Sequence, residues 1–130
     1  MARSKTKNKL ELTKAEQEIM QLIWAKGRVL IHDILADMPE PKPAYNTVST
    51  FVRILEKKGF VNHKAYGKTY EYFPVVDREE YTSHYMNTVL KNFFNGSVSQ
   101  MMSFFSQKEQ ISVSEADEII ELMKSSKNQQ

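Results

Sequence analysis

Between Ala44 and Lys58 the chain carries Asn46, Thr47, Ser49, Thr50 and Arg53, a run of short hydrogen-bonding side chains closed by one guanidinium. At about 100° per residue, Asn46, Ser49, Thr50 and Arg53 share one arc of a helix, while Val48, Phe51, Val52 and Leu55 share the opposite arc. The second arc is a core face. The first carries a single charge in a chain that is 26% charged, where an ordinary solvated face would carry Glu and Lys. Small uncharged donors and acceptors suit a helix that enters a groove about 12 Å wide and reaches base edges. Asn pairs bidentately with adenine, Ser and Thr hydroxyls donate or accept, and the Thr methyl packs against a thymine methyl. Asn46, Thr47, Ser49 and Thr50 are therefore the base-reading candidates, and Arg53, one turn deeper, reaches a base or a phosphate. Tyr45 at the helix start is a candidate contact to the nucleic-acid backbone.

A helix of this kind needs a scaffold. Thr13 and Glu16 have capping-box spacing, and Leu12, Ala15, Ile19, Leu22 and Ile23 follow helical periodicity, which predicts a first helix from Thr13 to Lys26 ended by Gly27. Trp24 reads as a core anchor. Ile31, Ile34, Leu35 and Met38 predict a short second helix ended by Pro39, Pro41 and Pro43, with Pro43 suited to opening the third. Gly59 follows Lys57 and Lys58 as a C′ residue. Phe60 and Val61, a polar turn around Ala65, Tyr66, Gly67 and Lys68, and then Thr69, Tyr70, Tyr72 and Phe73 predict a hairpin with a connection of about five residues. Three helices followed by a hairpin is the order of a winged helix-turn-helix. His63, Lys64, Tyr66 and Lys68 on that hairpin are candidate contacts to the duplex backbone, which would position the protein without carrying sequence information.

Charge agrees with this placement. Residues 1–75 hold 13 Lys and Arg against 8 Asp and Glu, whereas residues 76–130 hold 5 against 8. Only the first part is suited to a polyanion. With no cysteine, disulfides, thiolate zinc sites and cysteine nucleophiles are excluded. The histidines His32, His63 and His84 are scattered, and neither an H-E-x-x-H nor a G-x-S-x-G pattern nor a glycine-rich phosphate loop occurs. No catalytic residue, metal site or cofactor is expected. Nor is there a membrane-length apolar run or a signal peptide, which predicts a cytoplasmic protein without membrane insertion.

Beyond the hairpin, Asp77 and Glu80 open a helix to about Phe94, with Tyr81, Tyr85, Val89 and Phe93 along one face. Asn95, Gly96 and Ser97 break it. Further helices are expected from Val98 to about Ser106 and from Ser112 or Ser114 onward. Short helices alone cannot bury Tyr81, Tyr85, Met86, Val89, Phe93, Phe94, Met101, Met102, Phe104, Phe105, Ile119 and Met123, so a second copy of the chain is the expected partner across this surface. The methionines read as packing rather than as a soft-metal site. The fold class is thus mainly α with a small β-hairpin: a basic tail at 1–9, a winged-helix domain at 10–75, a helical dimerisation region at 76–125 and a frayed tail at 126–130. The alternative function for such a fold is a module that binds protein rather than DNA.

The segments LTKAEQEIMQLIWAKG, AYNTVSTFVRILEKKGFV and YGKTYEYFPVVDREEY resemble the penicillinase-repressor (BlaI/MecI/CopY) family of bacterial regulators. The resemblance implies a homodimeric repressor on pseudo-palindromic operator DNA, with the recognition helix at Ala44 to Lys58 and base readers at Asn46, Thr47, Ser49 and Thr50. It also implies a membrane-bound sensor metalloprotease pathway that removes the repressor. Methicillin-type members carry basic residues where this chain has Asn46 and Ser49, so a different operator is expected. Their cleaved Asn-Phe bond falls in register on Phe104-Phe105, where this chain has no Asn. Copper-responsive members carry C-terminal cysteine motifs that are absent here.

Overall fold

The computed structural model describes residues 10–108 and 112–128, so the expected basic tail at 1–9 lies outside the described residues. The elements run α1 (Lys14–Lys26), α2 (Ile31–Ala36), α3 (Tyr45–Lys57), β1 (Val61–Tyr66), β2 (Thr69–Pro74), α4 (Arg78–Phe94), α5 (Val98–Gln107) and α6 (Val113–Asn128). They form two compact units, one ending at Tyr85 and the other beginning at Met86.

The first unit is a winged helix-turn-helix. Thr13 caps α1 as its spacing predicts: its Oγ1 accepts from the Glu16 amide at 3.2 Å, and Glu16 Oε1 accepts from the Thr13 amide at 2.9 Å. The short α2 closes on Lys42, whose Nζ donates to the carbonyls of Leu35, Ala36 and Met38 at 3.0, 3.0 and 2.7 Å. Carbonyls at a helix end lack intrahelical partners, and a cation there satisfies them. Pro43 does not open α3: the N-cap is Ala44, so Pro43 lies one residue outside. At the far end Gly59 adopts φ +88°, the left-handed conformation that a C′ glycine takes without steric cost.

Ile19, Met20 and Ile23 of α1, Ile31 and Ile34 of α2, and Val48, Val52 and Leu55 of α3 meet in one core. Phe60, Val61 and Tyr72 close it from the hairpin side. Each fully buried aliphatic or aromatic side chain contributes about 1.5 to 3 kcal/mol, so the α3 core face alone fixes the rotation of that helix about its axis. The hairpin turn is shorter than expected. Tyr66 pairs with Thr69, so Ala65 and Tyr66 belong to β1 and only Gly67 and Lys68 lie in the turn. Gly67 takes φ +65° at the first turn position, where glycine permits a two-residue connection matched to strand twist. Val29 forms a further antiparallel bridge to Tyr72, with mutual amide-carbonyl bonds of 2.9 and 2.7 Å.

One buried ion pair ties α1 to the end of α3. Glu16 is 3% exposed, and its Oε1 accepts from Lys58 Nζ at 2.6 Å; the same ammonium donates to the Glu11 carbonyl at 3.1 Å. Burial pushes the Glu16 carboxyl up, but hydrogen bonds from Lys58 and the Thr13 amide, with the Lys58 charge, outweigh it and hold the group below its ordinary value. A carboxyl lowered on folding stabilises the fold above its unfolded pKa, and that contribution disappears as pH falls through the lower folded value. Lys58→Met is expected to cost about 2 to 4 kcal/mol at neutral pH, because it strands a buried carboxylate. It should also reduce the loss of stability on acidification. Urea unfolding at neutral and acidic pH measures both, and equal stability losses in parent and variant across that range would remove the pair from this role.

The second unit has a different texture. Asn95 and Gly96 carry φ of +52° and +76° between α4 and α5, and Ser97 caps α5 by accepting from the Gln100 amide at 3.1 Å. Ser112 caps α6 through a reciprocal pair with Glu115. From Met86 onward no described side chain is buried. Phe93 is 76% exposed, and Tyr85, at the end of the first unit, is 47% exposed. Val89, Phe94, Met101, Met102, Phe105 and Ile119 are only partly covered, and the Met123 side chain lies outside those described. Tyr81 departs from the expected interface. It is 6% exposed inside the first unit, with its ring 5.8 Å from both Trp24 and Phe60 and its hydroxyl accepting from Gln17 Nε2 at 2.9 Å. A ring enclosed by its own chain cannot face a partner. Val76, drawn at sequence level into the dimerisation region, lies in the same core. α6 continues through Asn128, within the expected frayed tail.

Candidate nucleic-acid interface

Helix α3 presents its two arcs as its spacing predicts. Val48, Val52 and Leu55 are fully enclosed, whereas Asn46, Thr47, Thr50 and Arg53 are exposed and Ser49 is half-buried. No carboxylate interrupts the exposed arc, because Glu56 lies round the helix toward the hairpin and accepts from His63. Thr50 Oγ1 donates to the Asn46 carbonyl at 2.8 Å. That bond orients the hydroxyl along the helix, leaving its lone pairs as acceptors beside the methyl. Asn46 therefore supplies the donor and acceptor pair of this face, and Thr50 supplies an acceptor and an apolar contact.

A cleft of about 450 Å³ runs beside this face, bounded by His32 on α2, by Tyr45, Asn46, Ser49 and Arg53 on α3, and by the hairpin. Strand pleating sorts the hairpin residues into two faces. Register pairs His63 with Tyr72 and Ala65 with Tyr70 on one face, and Lys64 with Glu71 and Tyr66 with Thr69 on the other. Lys68, Thr69, Tyr70 and Tyr72 border the cleft. Burial pushes the Tyr72 phenol up, as does the nearby Glu56 carboxylate, so at neutral pH it remains a neutral donor.

The sequence-level hairpin candidates therefore separate. Lys68 stands at the turn beside α3. Lys64 lies 5.6 Å from the Tyr66 ring on the other face, near Glu71, which accepts from Arg28 at 3.4 Å. His63 is half-buried: its Nδ1 lies 2.8 Å from Glu56 Oε2, and its ring stacks on Tyr70 at 4.2 Å. These contacts clamp the hairpin onto the last turn of α3 and give His63 a structural role. Sequence reading missed Tyr70 and Thr69 at the cleft, since a strand pattern alone does not say which pleat face meets α3. It also missed His32, whose ring lies 4.8 Å from that of Tyr45.

The sequence pattern that defines the Penicillinase repressor family matches residues 12–125. The chain belongs to the penicillinase repressor family. Within it, the chain is 26% identical over 119 residues to the penicillinase repressor of Bacillus licheniformis, covering 91% of this chain and 93% of that protein. It is 26% identical over 110 residues to the methicillin resistance regulatory protein MecI of Staphylococcus aureus, covering 84% and 89%. Among solved structures, the DNA binding domain of the repressor BlaI aligns with 54% of this chain and 87% of its own, at 25% identity and a TM-score of 0.48. In this penicillinase repressor family chain, no described helix is long and apolar enough to cross a membrane. The described residues contain no group of three or more His, Cys, Asp or Glu placed to hold a metal ion.

Proposed function

We propose that this chain is a transcriptional repressor that binds operator DNA as a homodimer, with α3 in the major groove and the hairpin alongside the backbone. The observation that carries the reading is the exposed arc of α3: small hydrogen-bonding groups and Arg53, free of carboxylates, beside a cleft that adds Lys68 and phenol donors. Membership in a family of repressors supports it. Asn46, Thr47, Ser49 and Thr50 read bases, Arg53 reaches a base or phosphate, and Tyr45, Lys68 and the outward Lys64 and Tyr66 of the hairpin meet the sugar-phosphate backbone. Dimerisation is supported by the absence of any buried described side chain from Met86 onward, since a helical unit without a core needs a second surface. A two-fold pair sets its recognition helices on half-sites about one helical turn or a multiple of it apart, which fits a pseudo-palindromic operator.

Relief of repression through a membrane-bound sensor metalloprotease is part of this reading. The Phe104-Phe105 bond lies within α5, where the Phe104 carbonyl accepts from the Lys108 amide at 3.1 Å. A protease binds extended chain, so cleavage at that bond requires the end of α5 to unwind first.

Selection of bound duplexes from a random pool, followed by footprinting at low ionic strength, tests the proposal. A protected two-fold sequence is the expected result; an absence of any protection would point to a protein-binding module instead. On the selected duplex, Lys68→Ala should weaken binding to cognate and unrelated sequences alike and flatten the slope of log affinity against log salt by about 0.9 per protomer. An unchanged slope would take Lys68 off the phosphates.

A further inference from the structure

We propose that the cleft between α2, α3 and the hairpin seats one backbone phosphate of the bound duplex, with His32 and Tyr45 among its ligands, and that binding takes up a proton at His32. The inference rests on the reading of α3 as the DNA-binding helix and adds to it a ligand site on α2 and a pH response.

His32 is exposed on α2 and its ring lies 4.8 Å from that of Tyr45, so an imidazole and a phenol open onto the cleft together. The groups that face it are Tyr45 and Arg53 from α3, and Lys68, Tyr70 and Tyr72 from the hairpin. On its own helix the neighbouring Asp33 is turned away, accepting from the Leu30 amide at 2.9 Å. The cleft lining thus offers cations, phenols and an imidazole, and it includes no carboxylate. Such a set is complementary to a phosphate diester, which provides only acceptors and one negative charge. A phosphate drawn between Arg53 and Lys68 favours the imidazolium by direct attraction, and imidazoles ordinarily change charge between about pH 5 and pH 8. The affinity of the duplex then rises as pH falls, because the bound state holds the extra proton.

His63 is the necessary control, since it borders the same hairpin face but is already bound to Glu56 and stacked on Tyr70. The test uses the full chain and the selected duplex, with affinity measured from about pH 8 to about pH 6. The wild type is expected to tighten severalfold per protomer as pH falls across this range. His32→Gln should bind without this response and should lose one phosphate per half-site from the ethylation-interference pattern. His32→Lys, a permanent cation, should restore tight binding without the pH response, and His63→Gln should respond like the wild type. Retention of the full response or of the full interference pattern in His32→Gln overturns the inference, as does a response that vanishes in His63→Gln instead. A wild type that binds equally at both pH values also overturns it and leaves the reading of α3 standing. A wild type that protects no duplex at either pH overturns both.

Discussion

Thr50→Glu is expected to reduce operator affinity by more than about a hundredfold while leaving unfolding unchanged. The side chain is exposed on α3, one turn after Asn46, whose carbonyl accepts its hydroxyl. Replacing the hydroxyl and methyl with a carboxylate brings a negative charge among base-edge acceptors and between two rows of phosphates. Juxtaposed like charges cost several kcal/mol, and removing a well-placed bond to a base edge costs about 1 to 3 kcal/mol more. In the proposed dimer both protomers carry the change, so the effect acts on each half-site. The fold should tolerate it, because Glu has a higher helix propensity than Thr and the side chain is exposed. Gel-shift titration beside urea unfolding separates the two effects. Undiminished affinity with normal stability would exclude this face of α3 from the groove.

The second large effect is expected from Phe93→Asp, which should turn the proposed dimer into monomers at concentrations where the parent stays paired. Phe93 is 76% exposed in a unit where no described side chain is buried, so most of its ring is left open among the described residues. Aromatic anchors at the centre of an interface cost about 2 to 4 kcal/mol when removed, and a two-fold interface loses two of them while bringing two carboxylates together. Operator affinity should fall with dimerisation, since each recognition helix then engages its half-site without the effective concentration supplied by its partner. Sedimentation equilibrium reads the assembly directly. A dimer that persists in this variant would move the interface to another part of the surface. The winged-helix unit should keep its own unfolding transition, because its core lies in residues up to Tyr81.

These two sites differ in how much of each is written in the local order of residues. The arcs of α3 are readable because they depend on angular spacing within a single helix, and the same holds for the Thr13 cap of α1; Ser97, read from sequence only as a breaker, caps α5, and Ser112, one of two candidates, caps α6. Tyr81 was misread for the opposite reason. Its periodicity with Tyr85, Val89 and Phe93 is real, but its neighbours Trp24 and Phe60 come from distant parts of the chain, and helical spacing carries no record of them. Glu16 was legible as a capping residue, whereas its burial against Lys58 depends on a contact across 42 positions.

The hairpin divides along the same line. Its existence followed from β-branched and aromatic runs around Gly67, while its two-residue turn fixed a register that sends Lys64 and Tyr66 to one face and Tyr70 and Tyr72 to the other. Because the side-chain period of a strand is two, an error of one residue in the turn exchanges those faces. The amino-acid order by itself determined which segments are helical and which groups α3 offers to solvent, since both are set by neighbours within one or two turns. Only the tertiary structure decided that His63 clamps the hairpin to Glu56, that Tyr81 belongs to the core, and that His32 opens onto the same cleft as Arg53 and Lys68. Those outcomes depend on distances between residues far apart along the chain, which are fixed only when the core closes.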